Sequence, residues 1–268
     1  MTLVAFTIDT ERDSSHSIKG NPLQATTFCE EEPCFSATEA GLKDLFGLLD
    51  ELKIPATFFF EAQTALVLHD KLDLAAFAKH EIAFHGFHHE DFAGLKTGIK
   101  IDSKKREEIF TDGKKVLQSV FGTTEFGLRI PYMSIDNELL DLASKHFAYD
   151  SSLYGEKIVY YNGFCRIPVL EGIDSKGNHI KGFLWPLMEE DRVCEDYVSL
   201  VKKAVEAKNE FVVLATHSWH TRITRKAGRL SEKQAEEKTN LVKNVLTEIK
   251  KMPGVEFATL MEIKNRLR

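Results

Sequence analysis

Short apolar runs alternate along this chain with amphipathic helical windows, and this alternation restricts the possible folds more than any other feature. Parallel strands need long crossover connections, which are usually helices, so the pattern predicts an α/β fold built on a parallel sheet. About seven strand candidates favour a β/α barrel over an open sheet. The chain shows no low-complexity linker, and we expect a single domain over residues 1–268.

The predicted elements follow the apolar periodicity. Strands are expected at residues 3–8, 56–60, 82–84, 126–130, 211–215 and 255–258, and a β-rich stretch at 158–185. Helices are expected at residues 39–52, 103–121, 136–146, 195–208 and 231–251, the first of them capped by Thr38. A helical region that includes residues 73–79 is expected after the strand at 56–60, and a short helix after the last strand. Residues 10–36 are of mixed polarity and are expected to form a long surface loop.

Composition excludes several classes of protein. The 268 residues are 43% hydrophobic, which suffices for a core without disulfides, and the net charge of −6 argues against binding of nucleic acid. The N-terminus reaches Asp9, Glu11 and Arg12 almost at once, unlike a signal peptide, and no uncharged run is long enough for a membrane span. We therefore expect a cytoplasmic protein that does not bind a membrane. The composition leaves open whether the protein forms a homo-oligomer.

The four cysteines, Cys29, Cys34, Cys165 and Cys194, are sparse for a chain of this length and form no C-x-x-C pair. Reduced, incidental thiols are the simplest interpretation. The C-x4-C spacing of Cys29 and Cys34 is the alternative, as half of a zinc site.

Unusual polar residues follow the predicted strands at their C-terminal ends, which meet at one face of a β/α barrel. His85 and His89 would share one face if their loop turned helical, and could then bind a divalent ion. Asp9 and Glu11 point to one side of an extended segment, so one carboxylate could complete the metal site and the other could act as a general base. Surface positions without a catalytic role are the alternative for each pair.

Two further strand ends carry candidate groups. Arg129 could orient a carboxylate through a bidentate hydrogen bond, or could form an ordinary salt bridge. His217 and His220 follow the strand at 211–215, and an imidazole there could protonate a leaving group.

Together these motifs resemble the polysaccharide deacetylase superfamily, also known as the NodB homology domain or carbohydrate esterase family 4. Its first motif, an apolar strand with two acids, resembles residues 6–11; its second, H-x3-H, resembles residues 85–89; its third, R-x-P-Y, is found at residues 129–132. Residues 55–59 are similar to the family's second strand. The resemblance implies a distorted (β/α)7-type barrel that hydrolyses amides on sugars with a divalent metal, zinc first, or cobalt, nickel or iron(II).

Site roles follow from the resemblance residue by residue. It implies that Asp9 is the general base and that the metal ligands are Glu11, His85 and His89.

Arg129 would orient that base, the backbone N–H of Tyr132 would bind the oxyanion, and His217 would be the general acid. The resemblance also places Trp185 against the acyl methyl group of the substrate.

Two departures keep alternatives open. The first motif here is D-x-E where the family usually has two adjacent aspartates, a version similar to allantoinase-like amidases. The last motif, usually L-x-H, has Ala215 at its first position, which leaves His220 as a rival to His217 for the acid. An allantoinase-like or other small-amide hydrolase, and a catalytically silent carbohydrate-binding relative, are therefore the alternatives to a carbohydrate N-deacetylase.

Overall fold

The computed structural model describes residues 1–27 and 33–267. The strands in this part of the chain are, in order, β1 (Thr2–Thr10), β2 (Ser15–Ile18), β3 (Asn21–Thr27), β4 (Thr57–Phe60), β5 (Glu81–Phe84), β6 (Tyr154–Gly155), β7 (Val159–Tyr161), β8 (Phe164–Arg166), β9 (Val169–Ile173), β10 (His179–Lys181), β11 (Phe211–His217), β12 (Ile223–Thr224), β13 (Gly228–Arg229) and β14 (Val255–Phe257).

Helices cover the outside of the strands. They are α1 (Ser36–Leu52), α2 (Ala62–Leu68), α3 (Ser103–Phe121), α4 (Asn137–His146), α5 (Trp185–Met188), α6 (Cys194–Glu206), α7 (Glu232–Lys250) and α8 (Leu260–Arg266). Short 3-10 turns lie at His69–Lys71, Ala76–Lys79, Pro131–Met133 and Ser218–Thr221. Within the described residues no helix combines the length and the apolar character that crossing a membrane requires.

The central sheet is parallel, with the order β11-β1-β4-β5, and β14 pairs with the first residues of β1. Single bridges then continue it from Phe84 to Leu128, from Leu128 to Asp150 and from Asp150 to Arg166. At the opposite edge Phe183 bridges to Ala215 of β11. At several positions around the barrel, a single β-bridge thus takes the place of a full strand. The prediction of a distorted β/α barrel is confirmed.

Strand β1 is buried along its whole length because it separates two apolar clusters. Leu3 and Ala5 belong to the cluster inside the barrel, together with Val213 of β11. Phe6 and Ile8, on the other face, belong to the larger cluster that also contains the buried residues of the surrounding helices. Side chains alternate along a strand, so the odd-numbered positions of β1 face the barrel interior.

This alternation and the register of β1 together position the polar strand ends. Asp9 continues the interior-facing series, and it lies beside His217 of β11 and beside Phe59 of β4. Parallel pairing thus aligns the ends of sequence-distant strands at the C-terminal mouth of the barrel, where β/α barrels carry their active sites.

The prediction of a long surface loop at residues 10–36 is wrong for the part that the structure describes. This segment contains the hairpin of β2 and β3, and Arg12 before it is buried, with its guanidinium paired to Glu61 and donating to the Ala25 carbonyl. The buried ion pair ties the start of the hairpin to the end of β4. Residues 28–32 are not described, so Cys29 lies outside the described residues. The alternative of a half zinc site formed by Cys29 and Cys34 therefore stays a prediction.

Helix α1 begins at Ser36, three residues earlier than predicted, and Thr38 does not cap it. The carboxylate of Asp13 instead accepts hydrogen bonds from the backbone N–H groups of Ala37 and Thr38, at 2.9 and 2.8 Å. A distant side chain therefore supplies the cap, which the local sequence does not reveal.

Most other predicted elements are confirmed, with ends shifted by one to three residues. The exceptions are the strand at 126–130, which is reduced to a bridge at Leu128, and the helix at 73–79, where only Ala76–Lys79 forms a 3-10 turn. Residues 62–68, for which no helix bounds were predicted, form α2.

Gly41 lets α1 pack directly on the segment that follows β11. A Cβ atom at this position would overlap the carbonyl oxygen of Ser218, whereas one at Gly47 of the same helix would meet nothing within 4 Å. We expect Gly41→Ala to lower the free energy of unfolding by about 2 kcal/mol through steric overlap. The control Gly47→Ala should be neutral or stabilising by up to about 1 kcal/mol, because alanine favours helix. Urea denaturation measures both, and equal effects would contradict this packing.

Candidate active site

A pocket of about 200 Å³ opens where the strand ends meet. Its walls come from distant parts of the chain: Asp9, Glu11, Ser15, His85, His89, Lys96, Ile130, Tyr132, Met133, Tyr154, Phe183, Trp185, His217, Trp219 and Arg225. Polar groups able to bind a metal or move protons therefore share one cavity with aromatic rings.

Glu11, His85 and His89 form a buried cluster in this pocket. The Oε2 atom of Glu11 lies 2.5 Å from Nε2 of His89 and 3.3 Å from Nε2 of His85. The potential ligand atoms all lie within 4.8 Å of one another. Burial alone would raise the pKa of Glu11, but the two imidazoles hold it well below its ordinary value. The carboxylate is therefore charged and directed at two imidazole nitrogens.

The orientation of two of these groups is fixed by neighbours. Nδ1 of His85 is 2.8 Å from the carbonyl oxygen of Arg129, an acceptor, so Nδ1 carries the proton and Nε2 is left for the cluster. The indole N–H of Trp219 donates to Oε1 of Glu11 at 3.0 Å. Glu11 thus presents Oε2 to the two histidines.

The loop after β5 brings the histidines together without becoming helical, contrary to the condition set on His85 and His89 from sequence. Gly86 and His89 adopt positive φ angles of 81° and 58°. Glu90 holds the turn, since its carboxylate accepts from the backbone N–H groups of Phe87 and His88, each at 2.9 Å. A Cβ at position 86 would lie 2.7 Å from the Glu90 carboxylate, so the turn needs glycine.

These three residues fit a divalent metal ion. Oε2 of Glu11 is buried and makes no hydrogen bond, and Nε2 of His85 is directed at it with Nδ1 already used. One carboxylate and two imidazoles form a donor set that suits zinc and leaves a position open for water or substrate.

Asp9 lies two residues before Glu11 and is held by Arg129. The guanidinium donates to Oδ1 of Asp9 at 2.7 Å, to the hydroxyl of Thr7 at 2.9 Å and to the hydroxyl of Ser151 at 3.1 Å. Its carbon atom lies 4.2 Å from the centroid of the Phe59 ring. Arg129 is fully buried beneath the pocket, so it orients Asp9 and does not line the cavity.

His217 lines the pocket and is clamped between two aromatic rings. Phe183 stacks on it at a centroid distance of 5.7 Å and Trp219 at 5.1 Å. Burial lowers the pKa of His217, while the carboxylates of Glu11 and Asp9 oppose this shift.

His220 is fully buried and lies outside the set of pocket-lining residues. Its Nε2 is 3.0 Å from the carboxylate of Glu189, and burial lowers its pKa to about 4. The geometry therefore gives His217, and not His220, access to the pocket.

Tyr132 and Trp185 both line the pocket. The backbone of Tyr132 is left-handed, with φ 60° and ψ 8°, and its ring meets that of His89 edge-on at 4.7 Å. Such conformations are costly for aromatic residues and concentrate at functional sites.

The structure therefore brings the predicted residues together in one pocket, with Arg129 directly below it. Sequence reasoning assigned no role to Trp219, Phe183, Tyr154, Lys96 or Arg225. Trp219 lies between His217 and His220, but nothing in that local sequence indicates that its indole reaches Glu11, 208 residues away.

The chain is similar to known proteins both in sequence and in fold. A family model described as polysaccharide deacetylase matches residues 33–148. A solved structure of a candidate polysaccharide deacetylase from Mycobacterium smegmatis is 21% identical, with a TM-score of 0.67, covering 100% of this chain and 90% of that one. Puue allantoinase is 15% identical, with a TM-score of 0.65 and coverages of 98% and 89%.

A third solved structure, a family 4 acetyl xylan esterase from Clostridium thermocellum in complex with a cobalt ion, is 15% identical to this chain. Its TM-score is 0.54 and the coverages are 99% and 91%. No curated protein matches the chain. The solved structures are all below 25% identity, so they establish the shared fold.

Trp219 is predicted to tune the metal site through its hydrogen bond to Glu11. We expect Trp219→Phe to keep the ring stacking on His217 but to weaken zinc binding about tenfold to hundredfold, as loss of a hydrogen bond to a ligand typically does. Competition with a chromogenic chelator measures the affinity. Trp185→Phe, which alters another pocket indole, is the matched control and should bind zinc as the wild type does. Unchanged binding by Trp219→Phe would show that the bond is dispensable.

Proposed function

We propose, from the match of a polysaccharide deacetylase family model to residues 33–148 and from the shared fold, that the chain is a divalent-metal-dependent hydrolase of the polysaccharide deacetylase superfamily. It would remove N-acetyl or related acyl groups from a carbohydrate or sugar conjugate. The matched family, polysaccharide deacetylase, indicates a hydrolase that acts on carbon–nitrogen bonds of acetylated carbohydrates. One observation carries the proposal: a buried Glu/His/His cluster shares its pocket with the Arg129-bound Asp9 and with His217.

Glu11, His85 and His89 would hold the metal, zinc first, with cobalt, nickel and iron(II) as alternatives. A divalent ion at such a site supplies Lewis acidity, which polarises an acyl carbonyl and lowers the pKa of water. The cobalt ion in the acetyl xylan esterase supports a metal on this fold.

Asp9 is the general base of the proposed reaction. It lines the pocket two residues before a metal ligand, where it would accept a proton from an attacking water molecule. Arg129 fixes the position of its carboxylate by donating to Oδ1, which leaves the other oxygen to serve as the acceptor.

Tyr132 and His217 complete the scheme. The backbone N–H of Tyr132 would stabilise the oxyanion that develops on the carbonyl oxygen. His217, held between Phe183 and Trp219, would give a proton to the departing amine. Trp185, in the same wall, would contact the acyl methyl group.

A small cyclic amide is the second candidate substrate. The pocket volume of about 200 Å³ suits a small molecule, and the fold is shared with an allantoinase. Release of acetate or formate from N-acetyl sugars and sugar nucleotides, measured beside formation of the ring-opened acid from cyclic ureides, separates the candidates. Acetate release supports the deacetylase, ring opening of a ureide the second candidate, and binding without release a silent carbohydrate-binding protein.

Substitution of Asp9 and of His85 should separate metal binding from proton transfer. We expect His85→Ala to lose stoichiometric zinc, because only Glu11 and His89 remain as ligands. Asp9→Asn should retain zinc yet lower kcat by about a hundredfold or more, because an amide cannot accept the proton. Elemental analysis and acetate release measure the two effects. An active Asp9→Asn variant would refute the assignment of the base.

His217 and His220 can be distinguished in the same way. We expect His217→Gln to lower kcat by about a hundredfold or more with little change in stability. His220→Gln should instead lower the free energy of unfolding, by about 1 to 3 kcal/mol, since it disturbs the buried contact with Glu189. Steady-state kinetics and urea denaturation report both, and the reverse pattern would make His220 the acid.

A further inference from the structure

Two cations line the pocket, and the proposed reaction uses neither of them. Lys96 and Arg225 are both exposed. The Lys96 ammonium lies 6.0 Å from the centroid of the Tyr132 ring, and the Arg225 guanidinium carbon lies 5.4 Å from that of the Trp185 ring. Within the part of the chain that the structure describes, neither side chain forms an ion pair. The cationic groups are therefore available to a ligand.

The backbone of the loop that carries Lys96 is fixed by hydrogen bonds to a buried carboxylate. Asp91 is 2% exposed and accepts from the backbone N–H groups of Leu95, Lys96 and Thr97, at 3.0, 2.7 and 2.7 Å. The position of Lys96 at the rim is thus set by the fold, although its side chain reaches into solvent.

The loop that carries Arg225 is fixed in the same way, by hydrogen bonds from its backbone to a buried carboxylate. Glu189 is 2% exposed and accepts from the backbone N–H groups of Arg225 at 2.7 Å and Lys226 at 3.2 Å. Its Oε1 also contacts His220. Two unrelated loops therefore each place one unpaired cation at the same pocket.

The charge balance of the pocket favours an anionic ligand. Asp9 is neutralised by Arg129, and Glu11 faces the two histidines that would hold a divalent ion with it. Lys96 and Arg225 then add positive charge that no side chain of the described wall offsets. Cations beside aromatic rings in a partly enclosed pocket bind carboxylate and phosphate groups well, by charge-assisted hydrogen bonds.

We propose that Lys96 and Arg225 select substrates that carry a carboxylate or phosphate group in addition to the scissile amide. The inference rests on the proposed function for the presence of that amide. It narrows the substrate class from neutral acylated sugars to acidic or phosphorylated ones.

Binding of reaction products tests this selectivity without turnover. Isothermal titration calorimetry of the zinc-loaded full chain compares glucosamine with glucosamine-6-phosphate and with muramic acid, which adds a carboxylate to the same sugar. We expect at least one of the two anionic ligands to bind at least about tenfold more tightly than glucosamine. The two arms tell a phosphate preference from a carboxylate preference.

Substitutions separate the two cations from the metal, which could itself attract an anion. Lys96→Met and Arg225→Gln should each weaken binding of the preferred anionic ligand about threefold or more, and the double variant should lose most of the preference. Binding of glucosamine should stay the same. Lys104→Met, at an exposed position on α3, is the matched control and should change nothing.

Equal binding of all three ligands, or a preference that survives in the double variant, would overturn the inference. Failure of the proposed function is a separate result, because it would show as no acyl release from any substrate while the binding preference could still be measured.

Discussion

Two carboxylates, Asp9 and Glu11, are buried two residues apart at the end of one strand, and the rest of the site compensates their charge. Burial of an unpaired carboxylate costs several kcal/mol, so each needs its own partner. Arg129 serves Asp9, and the imidazoles of His85 and His89 serve Glu11. These partners come from two other strand ends, so the barrel must close correctly before either charge is stabilised.

The loops around the pocket are held in a common way. Buried carboxylates accept hydrogen bonds from backbone N–H groups and thereby fix segments that no regular secondary structure supports. Asp13 does this for the start of α1, Glu90 for the histidine turn, Asp91 for the loop of Lys96, and Glu189 for the loop of Arg225. Acidic residues near the mouth therefore serve two purposes, since Asp9 and Glu11 line the pocket and the others fix the backbone around it.

Much of the fold and of the candidate site could be predicted because both depend on local pattern. Apolar periodicity places β1 and α3, and period-two alternation places Asp9 and Glu11 on one face. What could not be predicted depends on contacts between residues distant in sequence. The cap of α1 by Asp13 and the bond from Trp219 to Glu11 leave no local signal. The histidine turn also differs from expectation, because left-handed backbone replaces the helix that the i, i+4 spacing suggested.

Glu11, His85 and His89 are proposed to bind a metal ion in the mouth of this barrel, and the proposed reaction depends on that ion. X-ray absorption spectroscopy of the full chain with one equivalent of zinc tests this claim most directly. We expect a coordination shell of nitrogen and oxygen atoms at about 2.0 to 2.1 Å with the multiple scattering of two imidazoles. A sulfur shell at about 2.3 Å, or a spectrum without imidazole scattering, would contradict the claim.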